Sequence, residues 1–315
     1  FVYDYLPASV TLREDRWTGE KKHDVEHSKS LAEWADVIWV EWLAFSALWY
    51  SKAVRDDQVM IVRQHRYELL RDMGESIDYS RVSAVVAIAV HTMEGVHERF
   101  AVPRDKLRLI PNIYEADRYV VASADQRDRQ FRLALVGSIP RLKGLHRAIE
   151  VIQRLRAMDS RYSLTIFGKR PEDLPWILSK SGEAEYFEAC DQFVRSAGLE
   201  GAIRYAGWAD IRQELHRYGY VLSTSDLEGS HVSPGEAFLT GNAGLYLRWR
   251  GAEYIYPSEF GFDSPATMAE YIASEPLFDR AVQKQITETA SQLAEEQGIA
   301  VFLSTVQSII HEHSL

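Results

Sequence analysis

Short, almost unbroken apolar runs recur along this chain with helical segments between them, and no other feature of the sequence narrows the fold as far. Residues 36–41, with Val37, Ile38, Trp39 and Val40, read as a buried strand, 44–54 as a helix, and 59–63 as the next strand. A further run spans 83–90, with Thr92 expected as the N-cap of the helix that follows, and 107–110 closes this set. A second set then begins with a strand over 131–136 and a helix whose one face carries Leu145, Ala148, Ile149, Ile152 and Leu155. It continues with a strand over 162–167, a helix over 187–197, a strand over 202–206, a helix from Asp210 to about Tyr218, and a strand over 221–224. Strands alternating with helices require crossover connections, and so parallel β-α-β units. The polar stretch 117–130 lacks apolar periodicity and separates the two sets. The expected division is an N-terminal domain over 1–120, a linker over 121–130, a C-terminal domain over 131–300, and a terminal helix over 301–315 packing back on the N-terminal domain. The first thirty or so residues are weakly patterned, with a short strand expected near Val10.

In parallel sheets ligands lie beyond the carboxyl ends of the strands. In the first set that rule singles out Glu41, Trp42, the segment 65–68, His91, Thr92, Pro111 and Asn112. His65 directly follows a central strand, where a substrate arrives, although a lone histidine is commonly a satisfied structural group. Trp34, Trp39, Trp42, Trp49 and Tyr50 suit either sugar stacking or core packing. In the second set the loop 137–144 combines Gly137 and Gly144 with Arg141 and Lys143 ahead of a helix, which makes an anion site or an ordinary basic turn. Further along, 223–237 runs from a strand through a polar loop into a helix with Ser233 at the expected N-cap, Pro234 at the first position and Glu236 at the third. A helix N-terminus suits a phosphate or diphosphate. By itself, Ser-x-x-Glu before an apolar run is a capping box more often than a ligand site. Glu228 has no capping role.

Composition excludes several function classes. The 315 residues are 46% hydrophobic, enough for sizeable cores, and the formal charge of −10 disfavours a nucleic-acid partner. The single cysteine, Cys190, rules out an internal disulfide and a multi-cysteine zinc site; its spacing with Phe187, Phe193 and Val194 makes it a small core residue. Without a long apolar run or an export signal, a reducing, cytoplasmic location is expected. Because the chain opens at Phe1 and not at Met, an upstream segment or other domains of a longer polypeptide are expected. His23, Glu26 and His27 match H-x-x-E-H, a zinc-protease pattern whose alternative is a solvated polar helix or loop.

Four segments carry a resemblance. Residues 136–144, 162–168 and 203–207, and the pair 228–230 with 234–237, occur in the order and spacing of the retaining glycosyltransferases of family 4, and Glu228 and Glu236 reproduce that family's E-x7-E pattern. Pro111 and Asn112 resemble the family's segment before its linker. The resemblance covers the second half well and the first half in outline.

The resemblance implies an α/β fold of the GT-B kind, two Rossmann-like β/α/β domains facing a central cleft. It implies a nucleotide-diphosphosugar donor in the C-terminal domain, with Lys143 meeting the diphosphate, Glu236 the ribose hydroxyls and Glu228 the donor sugar. Gly229, Ser230, His231 and Val232 would surround sugar and phosphates, and Gly137, Ser138, Arg141, Gly168, Lys169 and Gly207 would complete the donor side. Ser138 stands where the family commonly has arginine, so Arg141 is the expected substitute. No glycine-rich loop follows the first strand, so either a shortened N-terminal domain or the absence of the true first strand is expected. Glu228, Lys143 and His65 are the implied catalytic groups, with no metal and no cofactor beyond the donor. The implied activity is that of a hexosyltransferase-like enzyme of polysaccharide biosynthesis acting on a glycan or lipid-linked acceptor, compatible with peripheral association at the inner face of a membrane. The alternatives are a nucleotide-sugar epimerase or phosphorylase on the same architecture, or a non-catalytic glycan- or nucleotide-binding module.

Overall fold

The computed structural model describes residues 6–313, so the expected chain start at Phe1 lies outside the described residues. The chain divides into two units: residues up to Ile113 together with those from Gln297 onward, and Tyr114–Glu296.

The first unit contains α1 (Val25–Trp34), β1 (Val37–Glu41), α2 (Phe45–Ala53), β2 (Val59–Gln64), β3 (Ala84–Ala87), α3 (Val90–Phe100) and β4 (Leu107–Leu109). The strands form one parallel sheet in the order β1-β2-β3-β4, with Val37 opposite Val59 and Ile61 opposite Ala84. Successive side chains of a strand point to opposite faces, so an unbroken apolar run buries both. Met60, Val62 and Val85 enter one core with Ala47, Tyr50, Val96 and Phe100, while Val59, Ile61, Ala84 and Val86 enter another.

The second unit holds β5 (Arg132–Val136), α4 (Leu145–Met158), β6 (Ser163–Phe167), α5 (Pro175–Leu178), α6 (Glu183–Ser196), β7 (Ile203–Gly207), α7 (Ile211–Glu214), β8 (Tyr220–Ser223), α8 (Ser233–Leu239), β9 (Ala243–Leu247), β10 (Gly261–Phe262), α9 (Pro265–Ala273) and α10 (Arg280–Glu296). Its sheet is also parallel, in the order β10-β9-β8-β5-β6-β7. The chain therefore builds outward from β5 through β6 and β7, then returns to the other side of β5 and builds β8, β9 and β10. That direction reverses between β5 and β8, the place at which parallel sheets of this kind commonly bind ligands, beyond the carboxyl ends of the strands. After α10 the chain rejoins the first unit as α11 (Ile299–His313), whose Phe302 and Ile309 cover the second face of β2 and β3. No helix among the described residues is long and apolar enough to cross a membrane.

Several expected details differ. Thr92 is not the N-cap of α3 but sits a turn inside it, its hydroxyl bonded to the Ala89 carbonyl at 2.8 Å. The region around Val10 is an irregular, exposed segment without a strand, closed by a Val10 N–H to Pro7 carbonyl bond. The stretch 121–130 lies inside the second unit: Ala122 donates to the Thr240 carbonyl at 2.9 Å, and Arg129 is buried with its guanidinium against Asn242 and the Gly241 carbonyl. Polar composition suggested a linker there because most of the stretch is exposed, while the partners that tie Ala122 and Arg129 down lie far along the chain, where composition does not reveal them.

Candidate functional site

The loops after β5 and β8 meet at the switch point. Gly144 ends the first loop with φ +68°, and a Cβ at that position would lie 2.0 Å from the Thr224 carbonyl oxygen. Only glycine lets the two loops approach this closely. Thr224 returns the contact by donating from Oγ1 to the Lys143 and Gly144 carbonyls, Asp226 N–H bonds to the Leu142 carbonyl at 2.9 Å, and Arg147 grips the Thr224 carbonyl and Asp226. The result is a stitched pair of loops that fixes Lys143 against Glu228.

Lys143 Nζ donates to Glu228 Oε1 at 2.6 Å, and Ser225 Oγ donates to the same oxygen at 2.6 Å. Glu228 is buried, at 7% exposure. Burial pushes its carboxyl upward, but the cationic and hydroxyl partners around it more than offset this and hold it below the usual carboxylate range. It is therefore ionised at neutral pH. Behind it lies His231, buried, with Nδ1 2.6 Å from Ser223 Oγ and Nε2 3.1 Å from Ser233 Oγ. Burial and then the nearby Lys143 charge depress the imidazole to about 4, so His231 is neutral at pH 7 and works as a hydrogen-bonded prop rather than a cation. Its carbonyl accepts from Tyr256 OH, and the single proton of Tyr114 OH is shared between the Tyr256 oxygen and the Val232 carbonyl, each 3.2 Å away.

The expected capping box is absent. Val232, not Ser233, is the N-cap of α8, no side chain caps it, and the helix is 7 residues long. Ser233 turns its hydroxyl to His231, and Glu236 receives Tyr119 OH at 3.1 Å. Burial raises the Glu236 carboxyl, opposed by the Tyr119 hydrogen bond and the Arg212 charge. Tertiary partners have outcompeted local capping at both side chains.

The remaining donor-side residues divide. Gly137, Gly168 and Gly207 end β5, β6 and β7, all with positive φ, and are linked by Gly137 N–H to the Phe167 carbonyl and Gly168 N–H to the Gly207 carbonyl. Ser138 is buried at 1% exposure with its hydroxyl oxygen unpartnered, an orphaned polar group directly after Gly137. Lys169 is exposed beside Gly168, and Gly229, Ser230 and Val232 lie on the loop between Glu228 and α8. Arg141 donates its backbone N–H to Glu183 at 2.9 Å, and its exposed side chain lies 3.9 Å from the same carboxylate at the start of α6.

In the first unit, His65 follows β2 and contacts Glu41 Oε1 through Nε2 at 2.7 Å, while its ring lies 4.3 Å from that of Trp42. Arg63 joins Glu41 at 3.1 Å and reaches Asn112 at 2.8 Å. Burial would raise the Glu41 carboxyl, but the His65 hydrogen bond and the Arg63 charge bring it below its usual value. Glu68 is buried and accepts the Leu43 and His65 backbone N–H groups, fixing the turn. Trp39 donates to Glu41, Tyr50 bonds to Asp15, and Trp49 packs edge-on to Trp17. Trp42 is the exposed one beside His65.

The H-x-x-E-H segment is not a metal site. Asp24 caps α1, so His23 precedes the helix, stacks on Trp17 at 3.8 Å and bonds to Ser28, while His27 is solvent-exposed. Among the described residues no cluster of His, Cys, Asp or Glu is placed to hold a metal ion. Cys190 is buried in the larger core of the second unit.

Sequence reasoning missed Tyr119, Tyr114, Tyr256, Ser223 and Ser225. Tyr114 and Tyr119 carry no pattern that names partners more than a hundred residues away, whereas Ser223 and Ser225 lie eight and three residues before His231 and Glu228 but carry no pattern that names a bond to them.

No protein-family model and no curated protein matches the chain. Solved structures do. HepE of Anabaena, in complex with UDP and glucose, superposes at a TM-score of 0.71 with 15% identity over 91% of this chain and 80% of that one. A glycosyltransferase from Rickettsia africae gives 0.66 with 14% identity over 92% and 81%. The pneumococcal O-GlcNAc transferase GtfA, in complex with UDP and GlcNAc, gives 0.62 with 13% identity over 94% of this chain and 60% of that one. Two parallel α/β units joined in this order, together with these likenesses, give the chain the GT-B fold.

Proposed function

We propose that this chain is a retaining, metal-independent glycosyltransferase that moves a sugar from a nucleotide-diphosphosugar, with UDP as its carrier, to a glycan or lipid-linked acceptor on the cytoplasmic side. The observation that carries the reading is the Lys143–Glu228 pair at the β5/β8 switch point, backed by a neutral His231. HepE and GtfA, which share the fold, were crystallised with UDP and a sugar, and that supports the choice of carrier.

Breaking the anomeric C–O bond places negative charge on the departing diphosphate. Lys143 is positioned to exchange its bond from Glu228 to a phosphate oxygen, which stabilises that charge more as it develops than in the bound donor. Glu228, released by the exchange, then accepts from donor-sugar hydroxyls. Glu236 is assigned to the ribose hydroxyls and the orphaned Ser138 hydroxyl to a phosphate oxygen. The acceptor oxygen forms the new bond on the face the diphosphate leaves, and its proton passes to a phosphate oxygen. His65, oriented by Glu41, is assigned to aligning the acceptor.

The test is a binding and turnover screen across UDP-, GDP-, ADP- and TDP-sugars with product analysis, repeated with Glu236→Gln and Lys143→Ala. A transferred sugar with retained anomeric configuration is expected from one donor class, and both variants should bind it more weakly. If no nucleotide diphosphate binds, or both variants bind like the parent, the donor site is misassigned; an epimerised or phosphorolysed product would replace transfer by another reaction of the same fold.

A further inference from the structure

A strand buried on both faces is apolar throughout, and β5, β6 and β7 break that pattern on one face only. Leu133, Leu135, Leu164 and Ile166 enter the larger core of the second unit, together with residues of α4 and α6. Ala134, Val136, Phe167 and Ala206 turn to the other face, where they meet Leu215, Tyr218 and Ala237. By alternation Arg132, Ser163, Thr165 and Arg204 lie on that same second face, toward the amino ends of the strands. The element that follows β7 is too short to cover them. α7 has 4 residues and rises about 6 Å, against strands of 5 residues and about 16 Å, so the amino half of the face stays open and Arg132 and Arg204 are exposed.

The open half is a cavity of about 350 Å³, the size of a small-molecule site and not of a single ion, whose polar lining is Arg132, Ser163, Thr165, Arg204, Glu214 and Arg217. Arg132 stands opposite Ser163 and Arg204 opposite Thr165 in the strand register, which sets the two arginines about 12 Å apart at the backbone with both hydroxyls between them. Solvent exposure explains polar residues of any kind on this face. It does not explain three guanidinium groups against one carboxylate in a chain of formal charge −10. Glu214 is already held by Arg217 at 3.0 Å, Arg204 reaches only Thr165 Oγ1 at 3.5 Å, and among the described residues neither Arg132 nor Arg204 has a carboxylate partner. Two unneutralised planar forks suit a phosphate, which takes paired N–H donors, and the Glu214 carboxylate with the Ser163 and Thr165 hydroxyls suits the hydroxyls of a sugar. We infer that this cavity is a second ligand site, for a small sugar phosphate. It lies roughly 16 Å along β5 from Gly137, at the opposite end of the strands from Lys143, and does not depend on the donor-site reading.

The experiment is calorimetric titration of the whole chain with glucose 6-phosphate, inorganic phosphate and glucose, as parent, Arg132→Gln, Arg204→Gln, Lys143→Ala and Arg154→Gln, alongside the thermal midpoint of each. Arg154, on α4, takes one positive charge from the other face and controls for general attraction of anions. Because Arg132 and Arg204 are exposed, their variants should melt with the parent. The parent should bind glucose 6-phosphate, inorganic phosphate about tenfold more weakly, and glucose not at all. Either arginine variant of the cavity should weaken glucose 6-phosphate by at least about tenfold, since each removes charged hydrogen bonds, while Lys143→Ala and Arg154→Gln bind it like the parent. A parent that does not bind it, equal binding of inorganic phosphate or of glucose, full binding in Arg132→Gln and Arg204→Gln, or loss in Lys143→Ala or Arg154→Gln overturns the site. UDP binding, read separately, tests the donor loop whichever way this result falls.

Discussion

At the carboxyl end of the C-terminal sheet the polar groups are buried and much of the surface is backbone, whereas at the same end of the N-terminal sheet long side chains do the work. Glu228, His231, Ser223, Ser225 and Ser138 all lie below a tenth exposed, and three positive-φ glycines floor the strand ends beside them. Glu41, Arg63, His65 and Trp42 instead form a partly exposed cluster with no glycine among them. A floor of backbone admits a ligand closely and in one orientation, because main-chain groups do not rotate away. A cluster of long side chains can rearrange around different hydroxyls, since each carries several rotatable bonds. On the function proposed above, the first construction would hold the charged donor group and the second the more variable acceptor.

The sharpest test of that contrast is to remove one cation or ring from each end. Lys143→Ala should lower turnover by about two to three orders of magnitude and weaken UDP binding, as expected when a group that stabilises developing charge is lost. His65→Ala should lower kcat/KM for the acceptor by roughly tenfold with little change in UDP affinity. If His65→Ala weakened UDP binding as much as Lys143→Ala does, the proposed division of labour would collapse.

Acid should find the C-terminal site first. A histidine held at about 4 in the folded chain and near 6.5 in the unfolded chain binds its proton more readily when unfolded. Its contribution is therefore fully present above about pH 6.5 and is lost as the pH falls toward 4, by about 3 kcal/mol in total. Denaturant midpoints measured between those limits should fall steeply in the parent and more gently in His231→Gln. Equal slopes would show that His231 is not the group responsible.

The smallest expected effects separate backbone strain from crowding. Gly137→Ala meets open space and should cost about 1 kcal/mol for its positive φ alone, while Gly144→Ala adds a clash with the Thr224 carbonyl and should cost at least about 2 kcal/mol more. Unfolding midpoints for the two variants would check the order; a reversal would mean that the two loops do not depend on their close approach.

Much of this was legible in the residues. The apolar runs placed β1, β2, β5 and β6 to within a residue or so, because a strand buried on both faces must be apolar throughout. The loop at Lys143 and the acids at 228 and 236 stood out because glycine, cation and carboxylate spacings are local. Thr92 and Ser233 misled for the opposite reason. Each is an able capping residue by its neighbours, yet a helix start is fixed by where the preceding strand releases the chain, so both hydroxyls were drawn inward to other partners. Arg141 likewise looked free until α6 brought Glu183 beside it.

The sequence by itself determined the alternation of elements, the parallel sheets and the presence of a basic, glycine-containing loop and two acids, since periodicity and turn chemistry act over a few residues. Only the tertiary structure decided that Lys143 meets Glu228, that His231 is neutral, that Tyr119 reaches Glu236 and that α11 returns to cover the N-terminal sheet. Those outcomes depend on burial and on contacts between distant segments. Burial sets the charge of a group and long-range packing selects its partner, and neither is a property of the residues next to it in the chain.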